Sequence, residues 1–378
     1  MRTLALFACA CLSSGAPAPL LVVLGSGAEP WTAGAAARGW EVAAIPEALP
    51  NDNGVRSIEA AIESARKRRE IDPDRTYLAG EGASSAAVFY AVSRRPDLWA
   101  AAIPAEGGPA PAIETNRLFG ANAALVPLLW AIEPQERATA EPMKARLAAS
   151  GFDLELRTES MSVSQALDWL ASHKREPFPP KIDCETGNLE FARCYWASIV
   201  KFDPAQRNDI LPSSRVQPGS GAYLAPGGFG FDLRAPGPGV LVSWLPPNYS
   251  GPLKLEDRIV AVGGKPVQDA RDYVRLMDAQ TEERGVGVTV QRGKKRIRLE
   301  SRIALAKREE NLTARVQAEY LSDAREMQVI TRGVGALRLT LPGYWTPCPI
   351  NWNGGDAGKA EAGGCWRLVP GAPARKCE

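Results

Sequence analysis

The sequence predicts an α/β fold, a doubly wound and mainly parallel sheet with helices on both faces, followed by β-rich segments. Three observations predict it. Short, wholly apolar runs alternate with helical stretches from Leu20 to Lys174, and such runs are strands buried on both faces. A Gly-rich bend, Gly80-Glu81-Gly82-Ala83-Ser84, joins one of these strands directly to a helix. After Pro179 the helical spacing stops, and aromatic and β-branched residues alternate with polar ones.

Taken in order, Leu20–Leu24 (LLVVL) and Trp40–Ile45 read as strands. A helix follows from about Val55 to Glu70, with Ile58, Ala61, Ile62 and Ala65 on one face and basic residues at its end. Thr76–Ala79 is a short strand, the bend leads into a helix, and Trp99–Pro104 is a second buried strand. Then come a short helix at Ile113–Phe119, a strand at Leu125–Ile132, a helix at Thr139–Ala149, a strand at Phe152–Leu156 and a helix at Ser164–Lys174. Sites in such sheets lie outside the carboxyl ends of the strands. Beyond Pro179, Cys184–Phe202 suggests an aromatic hairpin, and Asp203–Pro226, rich in Pro, Ser and Gly, reads as a linker. Ala314–Leu321, Glu326–Thr331 and Ala336–Leu341 alternate as strands.

A chain of 378 residues implies two or three domains. Lys and Arg total 45 against 43 Asp and Glu, which leaves no basic surplus for nucleic acid. The single histidine, His173, argues against histidine-based catalysis and against a metal centre. No cofactor and no metal are expected. Residues 1–18 have a charged start, an apolar run and small residues for cleavage near Ala16 or Ala18, as in an export signal. A buried first strand is the competing reading, and Cys9 and Cys11 leave a lipid-anchored one behind it. Membrane association is expected only through this segment, if it stays uncleaved. After cleavage Cys184 with Cys194, and Cys348 with Cys365, are the local pairs of an oxidising compartment such as the periplasm or the exterior. Cys377 is left over in a tail, 369–378.

Asp72-Pro73-Asp74-Arg75 before the strand, the Gly80–Ser84 bend, and Arg95-Pro96-Asp97 after the helix resemble the nucleophile elbow of α/β-hydrolases. The branch is that of secreted esterases and prolyl-oligopeptidase-like peptidases. The resemblance implies a hydrolase-like domain over 19–180. It puts Gly82 where that family has its nucleophilic serine in Gly-x-Ser-x-Gly. Leu24-Gly25-Ser26-Gly27 matches the family's His-Gly-x-Gly oxyanion loop without the histidine, and Glu133 or Glu136 falls at the triad acid. The triad histidine belongs after Leu154-Glu155-Leu156, where the chain reads Arg157-Thr158-Glu159-Ser160-Met161. His173 falls instead near the end of the closing helix, where a histidine caps carbonyls. The resemblance is thus to a degenerate hydrolase.

A second resemblance covers 223–306. Gly228-Phe229-Gly230-Phe231 is similar to the carboxylate-binding loop of PDZ domains, and Leu253–Val267 follows that family's core motif, with Glu256 in place of a glycine. The resemblance implies that the end of a peptide or protein chain adds a strand here. Gly228, Phe229, Gly230 and Phe231 would form the loop and its apolar pocket, and Val274 the helix wall. Residues 184–210 with 312–368 would form a small β domain around the insertion. Two functional readings follow. One is an exported, non-catalytic binding protein. The other is a working esterase or peptidase using Ser84 or Ser85 with Glu136.

Overall fold

The structure, a computed structural model, describes residues 16–206, 210–219, 221–226, 228–232, 235–306 and 312–377. The expected export signal over residues 1–18, Cys9 and Cys11 included, falls almost entirely outside them. β1 (Ala18–Leu24) pairs in parallel with β2 (Glu41–Ile45) on one side and β3 (Ile71–Glu81) on the other. β4 (Ala101–Ala105), β5 (Leu129–Ala131) and β6 (Glu155–Arg157) extend the sheet in the order β2-β1-β3-β4-β5-β6, every pair parallel. β1 is apolar throughout because it feeds two cores. Leu20, Val22 and Leu24 enter one, while Leu21 and Val23 enter the other, as side chains alternate along a strand.

The helices cover those two faces. α1 (Glu29–Ala37) and α2 (Asp52–Arg68) come first; α1 was not anticipated, since its Ala-Gly-rich sequence buries only Trp31 and Ala35 and leaves no stripe to read. Asn51 caps α2 by accepting the Gly54 N–H, and Val55, Ile58, Ile62 and Ala65 form its buried stripe. α3 (Ser85–Arg94) leaves the bend, wholly buried. α4 (Ala110–Glu114), α5 (Gly120–Ala123), α6 (Arg137–Ala149) and α7 (Val163–Ala171) complete this α/β part. β5 and β6 are shorter than expected. Phe152 and Leu154, for example, are buried before strand pairing begins.

After α7 come β7 (Lys181–Thr186), β8 (Arg193–Cys194) and β9 (Ala197–Phe202). Only β8 and β9 form a hairpin; β7 joins another sheet, so the expected Cys184–Phe202 hairpin is split in two. The chain then divides. Gln217–Glu310 is a compact unit separate from Met1–Val216 with Asn311–Glu378. That inserted unit holds β10 (Tyr223–Ala225), β11 (Val240–Leu241), β12 (Arg258–Val262) and β13 (Lys265–Pro266). α8 (Ala270–Asp278), β14 (Arg284–Arg292) and β15 (Lys295–Ala304) follow. Its sheet is antiparallel, ordered β10-β15-β14-β12-β11 with β13 on β12.

The first unit resumes with β16 (Ala314–Leu321), β17 (Glu326–Arg332) and β18 (Val334–Leu341). β19 (Cys348–Trp352), β20 (Gly355–Ala360), β21 (Gly364–Val369) and β22 (Ala372–Lys376) end it. These strands build two five-stranded sheets, β20-β19-β17-β16-β7 and β22-β21-β18-β9-β8, around one core. Cys184 and Cys194 are bonded as expected and tie β7 to β8, one from each sheet. The second pairing is corrected. Cys365 bonds Cys377, and Cys348 is a buried free thiol. Cys348 lies on a strand of the other sheet, while β22 runs back along β21 and brings Cys377 to Cys365. The supposed tail is therefore a paired strand.

The linker reading is corrected as well. Leu211 and Val216 are buried, and the Val216 N–H donates to Leu118 O. The fully buried Glu185 carboxylate on β7 accepts from Ser213 Oγ, Ser214 N–H and Oγ, Thr313 Oγ1 and Arg332. One carboxylate thus fastens the chain both before it leaves for the inserted unit and after it returns. Charge-assisted bonds of this kind are the strong ones.

Candidate functional site

The strand order reverses between β1 and β3, so the loops after these two strands meet at the switch point where open α/β sheets bind ligands. They do touch. A Cβ placed on Gly25 would lie 2.9 Å from Ser84 Oγ, and one on Gly27 would lie 2.9 Å from Glu81 Oε2. β3 ends at Glu81, and Gly82 turns the chain with φ +57° into a 3-10 turn (Gly82–Ser84) that runs straight into α3. This sharp left-handed turn is the backbone of an elbow, and it sits at the position the sequence assigned to the lost nucleophile. A Cβ on Gly82 would meet nothing nearer than Glu106 O at 3.9 Å. The space for a nucleophilic side chain is present, and the side chain is not.

The alternative serines are placed differently. Ser85 is fully buried, and its hydroxyl donates to Ala105 O, with Gly80 O at 3.3 Å, so it ties the start of α3 to β3 and β4. Ser84 is 8% exposed and faces Gly25. Neither serine has a histidine near it. His173 Nδ1 lies 2.8 Å from Trp169 O and its ring packs on Trp169 at 4.4 Å, which is the cap expected at the end of α7. The neighbouring Arg175 binds Asp74, near the start of β3. The His173 carbonyl accepts from Tyr77 Oη in the middle of β3, while the ring contacts of His173 are with Trp169 and Ser172 at the end of α7. A base must sit within hydrogen-bond reach of the nucleophile, and these contacts hold the ring in its own helix end.

The other two positions that the resemblance assigns to a triad fall in the loops after β5 and β6. Glu136 belongs to a 3-10 turn (Pro134–Glu136) and accepts the Glu133 N–H, which makes it a capping residue. Glu133 is the acid that faces the loop after β6, where Ser160 Oγ lies 3.3 Å from Glu133 Oε2. Ser160 belongs to the Arg157–Met161 segment in which the resemblance looked for a histidine. The carboxyl ends of the strands gather four carboxylates: Glu81, Glu106, Glu133 and Glu136. Burial, then the charges of Glu81, Glu133 and Glu136, push the Glu106 carboxyl above its ordinary range. Trp31 Nε1 donates to Glu81. Among the described residues no group of His, Cys, Asp and Glu is arranged to hold a metal ion.

A polar hollow of about 430 Å³ opens at the opposite, amino ends of the strands, beside Arg66, Pro73 and Arg175. Its charges are already paired: Arg95 with Glu59 and Asp97, Arg193 with Asp97, and Arg175 with Asp74.

No protein-family model matches the chain, and no curated protein matches it. Solved structures that it resembles include a thermostable esterase (17% identity, 44% of this chain, TM-score 0.34) and esterase PE8 (19% identity, 42% of this chain and 94% of that one, TM-score 0.30). An S-formylglutathione hydrolase from Staphylococcus aureus aligns at 10% identity over 41% of this chain and 81% of its own, with TM-score 0.30. The chain spans 57% of the length of the thermostable esterase. The α/β-hydrolase-like fold is read from the protein itself, from the parallel strand order and the elbow after β3.

In the inserted unit, Gly230 forms an isolated antiparallel bridge with Trp244. Its N–H donates to Trp244 O, and its carbonyl accepts from Ser243 and Trp244. Alternate residues of an extended strand present their amides to opposite sides, so Phe229 and Phe231 point theirs away from the Trp244 segment. Within the described part of this unit nothing accepts from their N–H groups. Gly228 is exposed, and the rings of Phe229, Phe231 and Tyr273 of α8 pack mutually at 5.5 Å. Val274 is half-buried on α8, one residue beyond the Tyr273 contact. Tyr273 was missed in the sequence, although its place on the buried stripe of α8 with Ala270 and Met277 follows from helical spacing. Glu256, the departure from the glycine pattern, has φ +67°, the left-handed backbone for which a glycine is suited.

Proposed function

We propose that the protein is an exported binding protein. Its α/β part has lost serine-hydrolase chemistry, and its inserted unit, PDZ-like, takes the extended end of a peptide or protein chain. The observation that carries the proposal is the backbone edge at Phe229 and Phe231, which finds no partner among the described residues, beside the exposed Gly228. An incoming strand pairs with such an edge through main-chain bonds, and converging N–H groups at a glycine loop receive a terminal carboxylate. The last side chain would enter beside Phe229, Phe231 and Tyr273, with Val274 on the facing helix. Residues 217–310 contain 15 Lys and Arg against 11 Asp and Glu, a surplus that favours an anionic terminus. Loss of catalysis rests on Gly82 at the elbow and on His173 as the cap of α7.

Export is supported by the two disulfides, and no helix among the described residues is long and apolar enough to cross a membrane. The test is a C-terminal peptide library presented to the full chain, each peptide with a free and an amidated end. Selection of apolar-ended peptides that lose binding on amidation is expected. Equal binding of the amidated peptides rejects the carboxylate loop.

A second reading, a serine hydrolase acting through Ser84, has one observation in its favour. Ser84 Oγ faces the loop after β1, where a hydrolase keeps its oxyanion donors. It lacks a base, and the Gly25 N–H is already bonded to Ile45 O.

A further inference from the structure

We propose that Trp244 is a specificity-determining residue of this edge, selecting an incoming chain with a large apolar or aromatic penultimate side chain. The inference rests on the strand-addition reading above.

Gly230 and Trp244 lie directly opposite each other, so they share one face of the two-strand ribbon. That face is the outer one, because Phe229 and Phe231, the neighbours of Gly230, turn inward onto Tyr273. Trp244 is 54% exposed, the one tryptophan of the inserted unit. It leans across its partner. A Cβ on Gly230 would lie 2.8 Å from Trp244 Cβ and 3.6 Å from its Cγ. The glycine therefore does more than free a loop. It clears the row between the tryptophan and the open edge.

A strand added at Phe229 and Phe231 sets its side chains alternately inward and outward. With the last one among the inner rings, the penultimate one emerges on the face of Trp244. Two strand spacings, about 10 Å, separate its backbone from that of Trp244. With no side chain at Gly230 between them, an indole and a second ring or long aliphatic chain meet across that gap, and small side chains do not. An indole face takes either an apolar group or a cation. The positive balance of residues 217–310 decides against the cation.

The test uses the full chain and free-ended peptides that differ only at the penultimate residue: Gly, Leu, Phe, Trp, Arg or Glu. Calorimetry should show Phe, Trp and Leu peptides binding about tenfold more tightly than the Gly peptide, the scale of one aromatic pair. Trp244→Ala should bring them within about twofold of the Gly peptide measured on the same variant, and Trp244→Phe should restore most of the preference. Persistence of the preference in Trp244→Ala overturns the inference, as does a wild-type preference for Arg or no preference at all. In these cases the Gly peptide still binds and strand addition stands. If no peptide binds the wild type, the Gly peptide included, strand addition itself fails and the inference falls with it.

Discussion

The carboxyl ends of the parallel sheet and the edge of the inserted sheet are two places where one chain presents backbone for chemistry, and they differ in what the chemistry needs. At the parallel sheet the elbow, the glycine loop and the acid-bearing loops are all in place. Turnover there would require a nucleophile, a base and an orienting acid acting together. On the reading proposed above two of the three are absent, and a crowd of glutamates remains. At the inserted edge, on the reading proposed above, the working groups would be main-chain N–H and C=O. Glu256, in the turn before β12, holds the left-handed backbone with φ +67° although it is not a glycine. A function built on side chains can be erased by two substitutions, while one built on backbone tolerates many.

The largest expected effect lies in the inserted unit. The Asp257 side chain is fully buried and accepts two bonds from Arg292 and one from the Lys254 N–H. Asp257→Ala leaves those donors unpaired and should cost about 3 kcal/mol. Hydrogen exchange should report it as lost protection in β12 and β14 while β1 and β3 keep theirs; equal loss everywhere would break the division into two regions. Burial pushes the Asp257 carboxyl up, and the bonds from Arg292 and Lys254 outweigh it, so its pKa lies below the ordinary 3.8. A depressed carboxyl stabilises the fold above its unfolded pKa, and that stability is lost as pH falls through the folded value. The inserted unit should therefore loosen in acid below about pH 4, and Asp257→Asn should flatten that dependence.

Next in size is Gly82→Ser. The side chain fits, but its φ of +57° should cost about 1–2 kcal/mol, measured by urea unfolding. Ester hydrolysis should stay at background, and a rise above it would show that a base is within reach after all. The counterpart is Glu256→Gly, which relieves a non-glycine residue at φ +67° and should stabilise the inserted unit by about 1 kcal/mol. Smallest is Glu106→Gln. The raised Glu106 carboxyl opposes folding at neutral pH and ceases to do so once it is protonated in both states. The variant should therefore gain stability at neutral pH and lose that advantage below about pH 4. Glu106 is exposed, so the gain should stay under about 0.5 kcal/mol.

Much of this was legible in the sequence because the signals were local. Fully apolar β1, the stripe of α2 and the alternation of β16 and β17 encode their own burial. The elbow was legible because its glycines and flanking motifs are contiguous. Pairings decided at long range were not. Whether Cys348 or Cys377 reaches Cys365 depends on which sheet each strand joins, and nothing local to Cys348 says so. The choice between Glu133 and Glu136 depended on where the loop after β6 returns. Ser213 and Ser214 read as linker, although a buried carboxylate on β7 holds them. The pairing of Trp244 with Gly230 spans an irregular segment whose spacing carries no periodic signal.

On the proposed reading the sheet has kept an elbow and lost its activated serine. Fluorophosphonate labelling of the full chain, read by peptide mapping, tests it most directly. No adduct on Ser84 or Ser85 is expected, because one faces a glycine loop without a base and the other is held by two carbonyls. A stoichiometric adduct that disappears in Ser84→Ala would contradict it.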